Sequence, residues 1–160
     1  MRRAFTVGAV SAALLLVFPT SSQAKARSRS VTTVSHGVRL TLIVPARSYT
    51  RGEIIGAVVR TRNISRHTIR LDGYPSWCWA ANYSGSNPII VVFNGAGKTV
   101  FPPRTPKSPH CSAVRPYVLR PGRAIRTFLY VPARGSWLMA SVRLVHRVKV
   151  RTSRLKIHLR

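Results

Sequence analysis

The stretch that decides the fold of this 160-residue chain is its last one, Trp137–Arg160, which reads WLMASVRLVHRVKVRTSRLKIHLR. Apolar and polar residues alternate along it, so that one side over Leu138–Val150 is apolar and the other is cationic. A period of two is typical of a β-strand with one buried and one solvated face. The alternation resumes after Thr152-Ser153. The stretch therefore predicts an antiparallel hairpin that turns at Thr152-Ser153 and has His146 at the rim of its buried face.

A basic amphipathic helix is the competing interpretation of the same stretch. Four arginines follow one another at spacings of four, four and three, which would align them on one helical face: Arg143, Arg147, Arg151 and Arg154. Such a helix would favour a membrane surface. The segment is rich in valine, however, and β-branched residues favour strands over helices. We therefore expect a strand.

The amino-terminal residues have the pattern of an export signal. A short positive start, Met1-Arg2-Arg3, precedes the apolar run Ala4–Phe18 and the small-residue end Ser22-Gln23-Ala24. This arrangement predicts a signal peptide over residues 1–24, and an apolar run well under about 20 residues is too short for a comfortable membrane span. We expect a protein that is secreted or held in the cell envelope, with no transmembrane segment in the mature chain.

The charge balance is strongly one-sided. The chain has 27 lysine and arginine residues against two acidic residues, and loss of Arg2 and Arg3 with the signal peptide would leave 25 basic residues. A chain of this kind repels itself and attracts polyanions, and the attraction weakens with salt. Arginine forks suit phosphate and carboxylate groups. The expected partners are an anionic polymer or an envelope protein, although arginine spread along the chain is also typical of a GC-rich genome.

The remaining sequence is organised as one domain of short strands. Lys25–His36 is basic and rich in serine and threonine, and it predicts a flexible leader over residues 25–36. Residues 37–160 contain short apolar or alternating stretches separated by glycine and proline turns, at 38–44, 54–62, 67–71, 89–93, 98–101, 117–119 and 124–131. No convincing helix follows the leader. The pattern predicts an all-β protein, an antiparallel sandwich of about seven to nine strands.

The two cysteines, Cys78 and Cys111, fit an exported protein with one disulfide bond. In the chain-entropy description, closing a loop of this length would stabilise the fold by roughly 3–4 kcal/mol. The neighbouring pair His110-Cys111 also permits a thiol nucleophile, but the disulfide is the simpler assignment in an exported chain.

Candidate catalytic and metal-binding groups are scarce. Glu53 and Asp72 are the two acidic residues, and neither has a second carboxylate nearby in sequence for general acid–base work. No nucleophile-elbow pattern is present, and the five histidines and Met139 lack the close ligand spacing of a copper site. Zinc-finger, helix-turn-helix and RNA-reading motifs are missing as well. We expect no enzymatic activity, no cofactor or metal, and no sequence-specific binding of nucleic acid.

Two groups of residues are candidates for binding. The aromatic segment around Cys78 contains Trp77, Trp79 and Tyr83, which could stack on sugars or bases, or could simply cover the disulfide and an open end of the sandwich. The cationic side of the C-terminal stretch contributes the second group: Arg143, Arg147, Lys149 and Arg151.

Three stretches resemble a group of bacterial sandwich domains. They are Tyr49-x-x-Gly52-Glu53 with the strand that ends at Arg62-Asn63-Ile64-Ser65; Val91-Val92-Phe93 with Gly97-Lys98-Thr99-Val100; and Leu119-x-Pro121-Gly122. They are similar to the BsuPI-type (intracellular proteinase inhibitor) family and to secreted actinobacterial domains of unknown function, and the resemblance covers about residues 38 to 131. The resemblance implies an immunoglobulin-like sandwich. It also implies an alternative function, a secreted proteinase inhibitor that presents Pro102–Pro109 or the aromatic segment, although the export signal and the basicity depart from an intracellular inhibitor.

Overall fold

The computed structural model describes residues 27–72, 87–101 and 116–160. The predicted signal peptide over residues 1–24 lies outside the described residues, as do the proline-rich loop, both cysteines and the aromatic candidates Trp77, Trp79 and Tyr83. The described residues form an almost purely β structure, which confirms the predicted fold class.

Two sheets dominate the architecture. The first sheet is antiparallel and contains, in spatial order, β1 (Ser28–Ser35), β2 (Val38–Pro45), β4 (Ile54–Asn63) and β9 (Ala124–Pro132). The second sheet has the order β11 (Lys149–Arg151), β10 (Trp137–Arg143), β6 (Ile89–Phe93) and β7 (Thr99–Phe101), with β12 (Leu155–Lys156) also paired to β10. These nine strands lie within the predicted seven to nine.

Two small pairings complete the described structure. Strand β3 (Ser48–Tyr49) runs parallel to β13 (His158–Leu159), and β5 (Ile69–Leu71) is antiparallel to β8 (Tyr117–Leu119). The first of these pairings ties the end of the described chain to the strand that follows β2. The C-terminal segment is therefore an integral part of the fold.

The core lies between the two main sheets. Every second residue of β2 points inward and is buried, and the same is true of the even-numbered residues of β10. One continuous apolar cluster contains Leu40, Leu42 and Val59 from the first sheet and Leu138, Ala140 and Val142 from the second. Burial of alternate side chains on both inner faces is the packing of a β-sandwich, as the period of two predicts.

The flexible leader predicted for residues 25–36 is wrong over Ser28–Ser35, which forms the edge strand β1. All eight residues of β1 pair with β2, from Ser28 opposite Pro45 to Ser35 opposite Val38. The side chain of Val31 packs against the core, and the hydroxyls of Thr32 and Thr41 are 2.9 Å apart. Serine and threonine suit a half-solvated edge strand, because threonine is β-branched and each hydroxyl can bond across strands.

The hairpin turn predicted at Thr152-Ser153 lies earlier in the chain. Strand β10 ends at Arg143, a 3₁₀ turn occupies Val145–Arg147, and β11 returns antiparallel to β10. The Leu144 amide donates to the Val148 carbonyl and closes the turn at 2.8 Å. His146 is exposed with a φ of 70°, so its predicted place at the rim of a buried face is also wrong. The helical alternative for this stretch is wrong, because residues on both sides of the turn are extended.

Thr152-Ser153, where the sequence predicts a turn, instead forms an irregularity between strands β11 and β12. Thr152 is buried, its amide donates to the Ala140 carbonyl, and its hydroxyl accepts from the Ala140 amide. Strand β12 then pairs with the beginning of β10, with Leu155 opposite Leu138. The interruption shifts the buried residues from even to odd numbers, which is why Leu155 and Ile157 continue the apolar face after Val150.

Candidate functional site

The outer face of the second sheet has an open groove with an apolar floor. Ile89 and Val91 of β6 lie beside Ser141 and Met139 of β10, because these residues are paired in the antiparallel register. All four point away from the core, and the groove above them has a volume of about 390 Å³. The outer face of this sheet is therefore hydrophobic along its middle strands.

Cationic side chains line one end of this groove. The register of β10 with β11 places Arg143 opposite Lys149 and Ser141 opposite Arg151. Lys149 and Arg151 are exposed, and Arg143 is partly buried. The structure thus brings together three of the four basic residues predicted to bind. The fourth, Arg147, lies in the 3₁₀ turn between the two strands.

Arg143 is held in place by Asp72. Its Nε lies 2.8 Å from the Asp72 carboxylate Oδ2, and the Asp72 amide donates to the Arg143 carbonyl at 2.9 Å. This ion pair, together with the backbone hydrogen bond, holds the guanidinium at the end of the groove. Because Arg143 is already paired with a carboxylate, the unneutralised positive charge at this end of the groove belongs to Lys149 and Arg151.

Asn87 joins the two chain segments that meet at this end of the groove. Its side chain is buried, and its Nδ2 donates to the carbonyls of Asp72 at 2.5 Å and Arg143 at 2.7 Å. Its Oδ1 accepts from the Arg143 amide at 2.8 Å. A buried amide that satisfies several backbone groups rigidifies its surroundings. Sequence reasoning missed Asn87, and an asparagine before Pro88 at the start of an apolar strand is the only signal that could have suggested it.

Two more cations lie over aromatic rings toward the other end of the same face. The guanidinium carbon of Arg154 is 4.3 Å from the centre of the Phe93 ring, and Lys156 Nζ is 5.9 Å from that of Trp137. Both distances are within the range of cation–π attraction. Arg154 and Lys156 were not among the predicted binding residues. They lie on this face because the chain continues past Thr152 as β12 beside β10, whereas the sequence predicted that it turns back there.

The two acidic residues are both used within the fold. Glu53 forms an ion pair of 2.5 Å with Arg47, and Asp72 is paired with Arg143. The backbone amide of Thr50 donates to Glu53, and this bond, followed by the one from Arg47, lowers the pKa of the Glu53 carboxyl. Since the chain has only two acidic residues against 27 lysine and arginine residues, most of its cations have no carboxylate side chain available as a partner.

Comparison of the chain with protein families, curated proteins and solved structures found no match. The resemblance to the BsuPI-type family therefore stays a prediction, and the suggested inhibitory loop at Pro102–Pro109 and the disulfide between Cys78 and Cys111 lie outside the described residues. Over residues 27–72, 87–101 and 116–160, no helix has the length and hydropathy to cross a bilayer, and no three histidine, cysteine or acidic side chains come together.

Proposed function

We propose that this protein is a non-catalytic, extracytoplasmic module that binds anionic polymers of the cell envelope through the groove on its second sheet. The observation that carries the proposal is the charge balance at the groove. Lys149 and Arg151 stand exposed beside it, while both acidic residues of the chain are paired with other arginines. A polyanion would supply the missing counter-charge.

The shape of the groove suits a chain that alternates anionic and uncharged groups. The floor of Ile89, Val91 and Met139 offers apolar contact to sugar or glycerol units, and the cations at its edge offer hydrogen bonds to phosphate or carboxylate. Cationic residues at both ends of the face would let a linear polymer lie along it. The export signal predicted over residues 1–24 is what directs the proposal to envelope polymers.

The proposal is tested by titrating the protein with polyglycerol phosphate, heparin and dextran sulfate over a series of salt concentrations. Neutralisation of phosphates by a protein gives a linear fall of log affinity with log salt, with a slope of about 0.7–0.9 for each contact on nucleic acids. By analogy, the variant Lys149→Gln/Arg151→Gln should bind more weakly at low salt and should reduce the slope by roughly 1.4–1.8.

A matched variant separates the groove from net charge. Arg51 and Arg134 are exposed in neighbouring loops, which are joined by the Gly52 amide bonded to the Ala133 carbonyl. Arg51→Gln/Arg134→Gln removes the same charge as the groove variant and should leave the salt slope unchanged. Equal losses in the two double variants, or affinity that does not respond to salt, would reject the groove as the polymer site.

A further inference from the structure

The outer face of the first sheet, on the opposite side of the sandwich, is divided into a cationic half and an apolar half. In the cationic half, Arg62 of β4 pairs with Arg39 of β2, and Arg60 of β4 pairs with Arg126 of β9. These four residues are referred to below as the arginine quartet. Each is exposed or partly exposed, and the Arg62 Nε donates to the Gly122 carbonyl at 3.3 Å.

The arginine quartet is unfavourable for the isolated fold. Like charges directly opposite each other on neighbouring strands destabilise a sheet. Neither acidic residue can relieve the repulsion, since Glu53 pairs with Arg47 and Asp72 pairs with Arg143. Four guanidinium groups on one flat surface are therefore an arrangement that an external anion, and phosphate in particular, would stabilise.

The apolar half begins where the arginines end, on the same strands. Val58 pairs with Phe128, and Gly56 pairs with Tyr130. Phe128 and Tyr130 are 67% and 66% exposed, although both are large rings that soluble proteins seldom leave uncovered together. Since Gly56 has no side chain, the surface dips beneath the rings into a hollow of about 280 Å³, whose rim includes Ile43.

We propose that this face docks on a bilayer that contains anionic phospholipid. A lipid–water interface is where phosphates and hydrocarbon occur side by side, and it matches a surface on which arginines adjoin exposed rings. Aromatic side chains concentrate at this level of membranes, and each basic residue near an anionic surface adds to binding. Single-stranded nucleic acid would use the same arginines and rings, but it would make little use of the aliphatic residues Ile43 and Val58.

Membrane docking does not depend on the polymer groove. The two sheets of a sandwich lie about 10 Å apart, so side chains on their outer faces are further apart than the distance over which salt screens charge, about 8 Å. The apolar core lies between them. Each face can therefore be tested by variants that leave the other intact.

The test is co-sedimentation of the full-length mature protein with large vesicles of phosphatidylglycerol and phosphatidylcholine, and with vesicles of phosphatidylcholine alone. We expect binding to the mixed vesicles. Phe128→Ser/Tyr130→Ser should weaken it by about tenfold or more, the loss equivalent to one buried aromatic side chain. Arg60→Gln/Arg126→Gln should weaken it by a similar factor, and this loss should shrink as salt is added. Circular dichroism and thermal midpoints verify that each variant is folded.

The control is Lys149→Gln/Arg151→Gln, which removes the same charge from the opposite face and should change vesicle binding less than about twofold. Vesicle binding lowered equally by this control and by the arginine-quartet variant would overturn the proposal. The proposal would also be overturned if the protein bound a single-stranded oligonucleotide more tightly than it binds vesicles, and if Phe128→Ser/Tyr130→Ser abolished that oligonucleotide binding. A dimer in sedimentation that the same variant dissociates would assign the face to a second copy of the chain instead.

Discussion

Replacing Asn87 with alanine should destabilise the protein far more than its small size suggests. The side chain makes three hydrogen bonds to the backbones of Asp72 and Arg143 at one end of the groove. Alanine would leave the Arg143 amide and the Asp72 carbonyl without this partner inside the protein. The Arg143 carbonyl would keep the bond from the Asp72 amide.

The expected loss of stability comes from the Arg143 amide and the Asp72 carbonyl, which would lose their side-chain partner. A buried backbone donor or acceptor that loses its partner costs about 1–3 kcal/mol, so Asn87→Ala should lower the free energy of unfolding by about 3 kcal/mol. At this chain length that corresponds to a fall of about 10 °C in the thermal midpoint. In urea, it corresponds to a midpoint lower by roughly 1–2 M.

Thermal and urea unfolding, followed by circular dichroism, measure the effect directly. The matched control is Asn94→Ala, because Asn94 also accepts a backbone hydrogen bond, from the Lys98 amide at 2.9 Å, but in an exposed turn. That variant should lose about 1 kcal/mol or less. If the two variants unfold at the same midpoint, the Asn87 side chain does not stabilise the contact between the Asp72 and Arg143 segments.

Three further changes test other parts of the structure. Gly135→Ala should lower stability by about 3 kcal/mol in urea unfolding, because a Cβ at this position would collide with the backbone carbonyl of Phe93. Thr61→Val should raise the unfolding free energy by about 1 kcal/mol, because the buried Thr61 hydroxyl has no hydrogen-bond partner among the described residues; an unchanged midpoint would show that the hydroxyl is satisfied. Burial raises the pKa of the Tyr49 hydroxyl above 10.0, so its contribution to stability is complete below that pH and is lost as pH rises through the folded-state value. Urea midpoints should fall less steeply for Tyr49→Phe than for the unchanged protein as the pH is raised above 10.0, because phenylalanine has no hydroxyl to ionise.

Much of the fold follows from residue alternation alone. Ile89–Phe93 forms a strand as predicted, and the observed strands Ile54–Asn63 and Ala124–Pro132 differ from prediction by a single residue at one end. These segments combine β-branched or aromatic residues with glycine or proline at their ends, so local preference and burial favour the same structure. The outward positions of Arg60 and Arg62 follow from the same alternation.

The errors arose where pairing overrides local signals. The turn at Val145–Arg147 has no glycine, proline or asparagine, and His146 adopts the positive φ that the turn requires. Thr152-Ser153 has the composition of a turn but continues the pairing to β10. The Thr152 amide donates to the Ala140 carbonyl, and the Thr152 hydroxyl accepts from the Ala140 amide. Polar residues near a predicted cleavage site suggested a leader, whereas eight consecutive pairs with β2 make Ser28–Ser35 a strand.

The candidate site was predictable only in part. Alternation assigned Arg143, Lys149 and Arg151 to one face without knowledge of which strands adjoin them. Their proximity to Ile89 and Val91 depends on the register between β6 and β10, residues about 50 positions apart, for which the sequence offers no local signal. The division of the first sheet into two halves likewise appears only when three strands are aligned.

Among the described residues, the strands at three margins of the two sheets, β1, β9 and β11, all carry basic residues, with Arg29, Arg126 and Lys149 among them. Charged residues on such margins keep molecules from joining strand to strand. A polyanion that neutralises those charges would remove this protection along with the long-range repulsion between molecules. At charge equivalence the protein and such a polyanion would therefore separate from solution together, and an excess of either would dissolve them again.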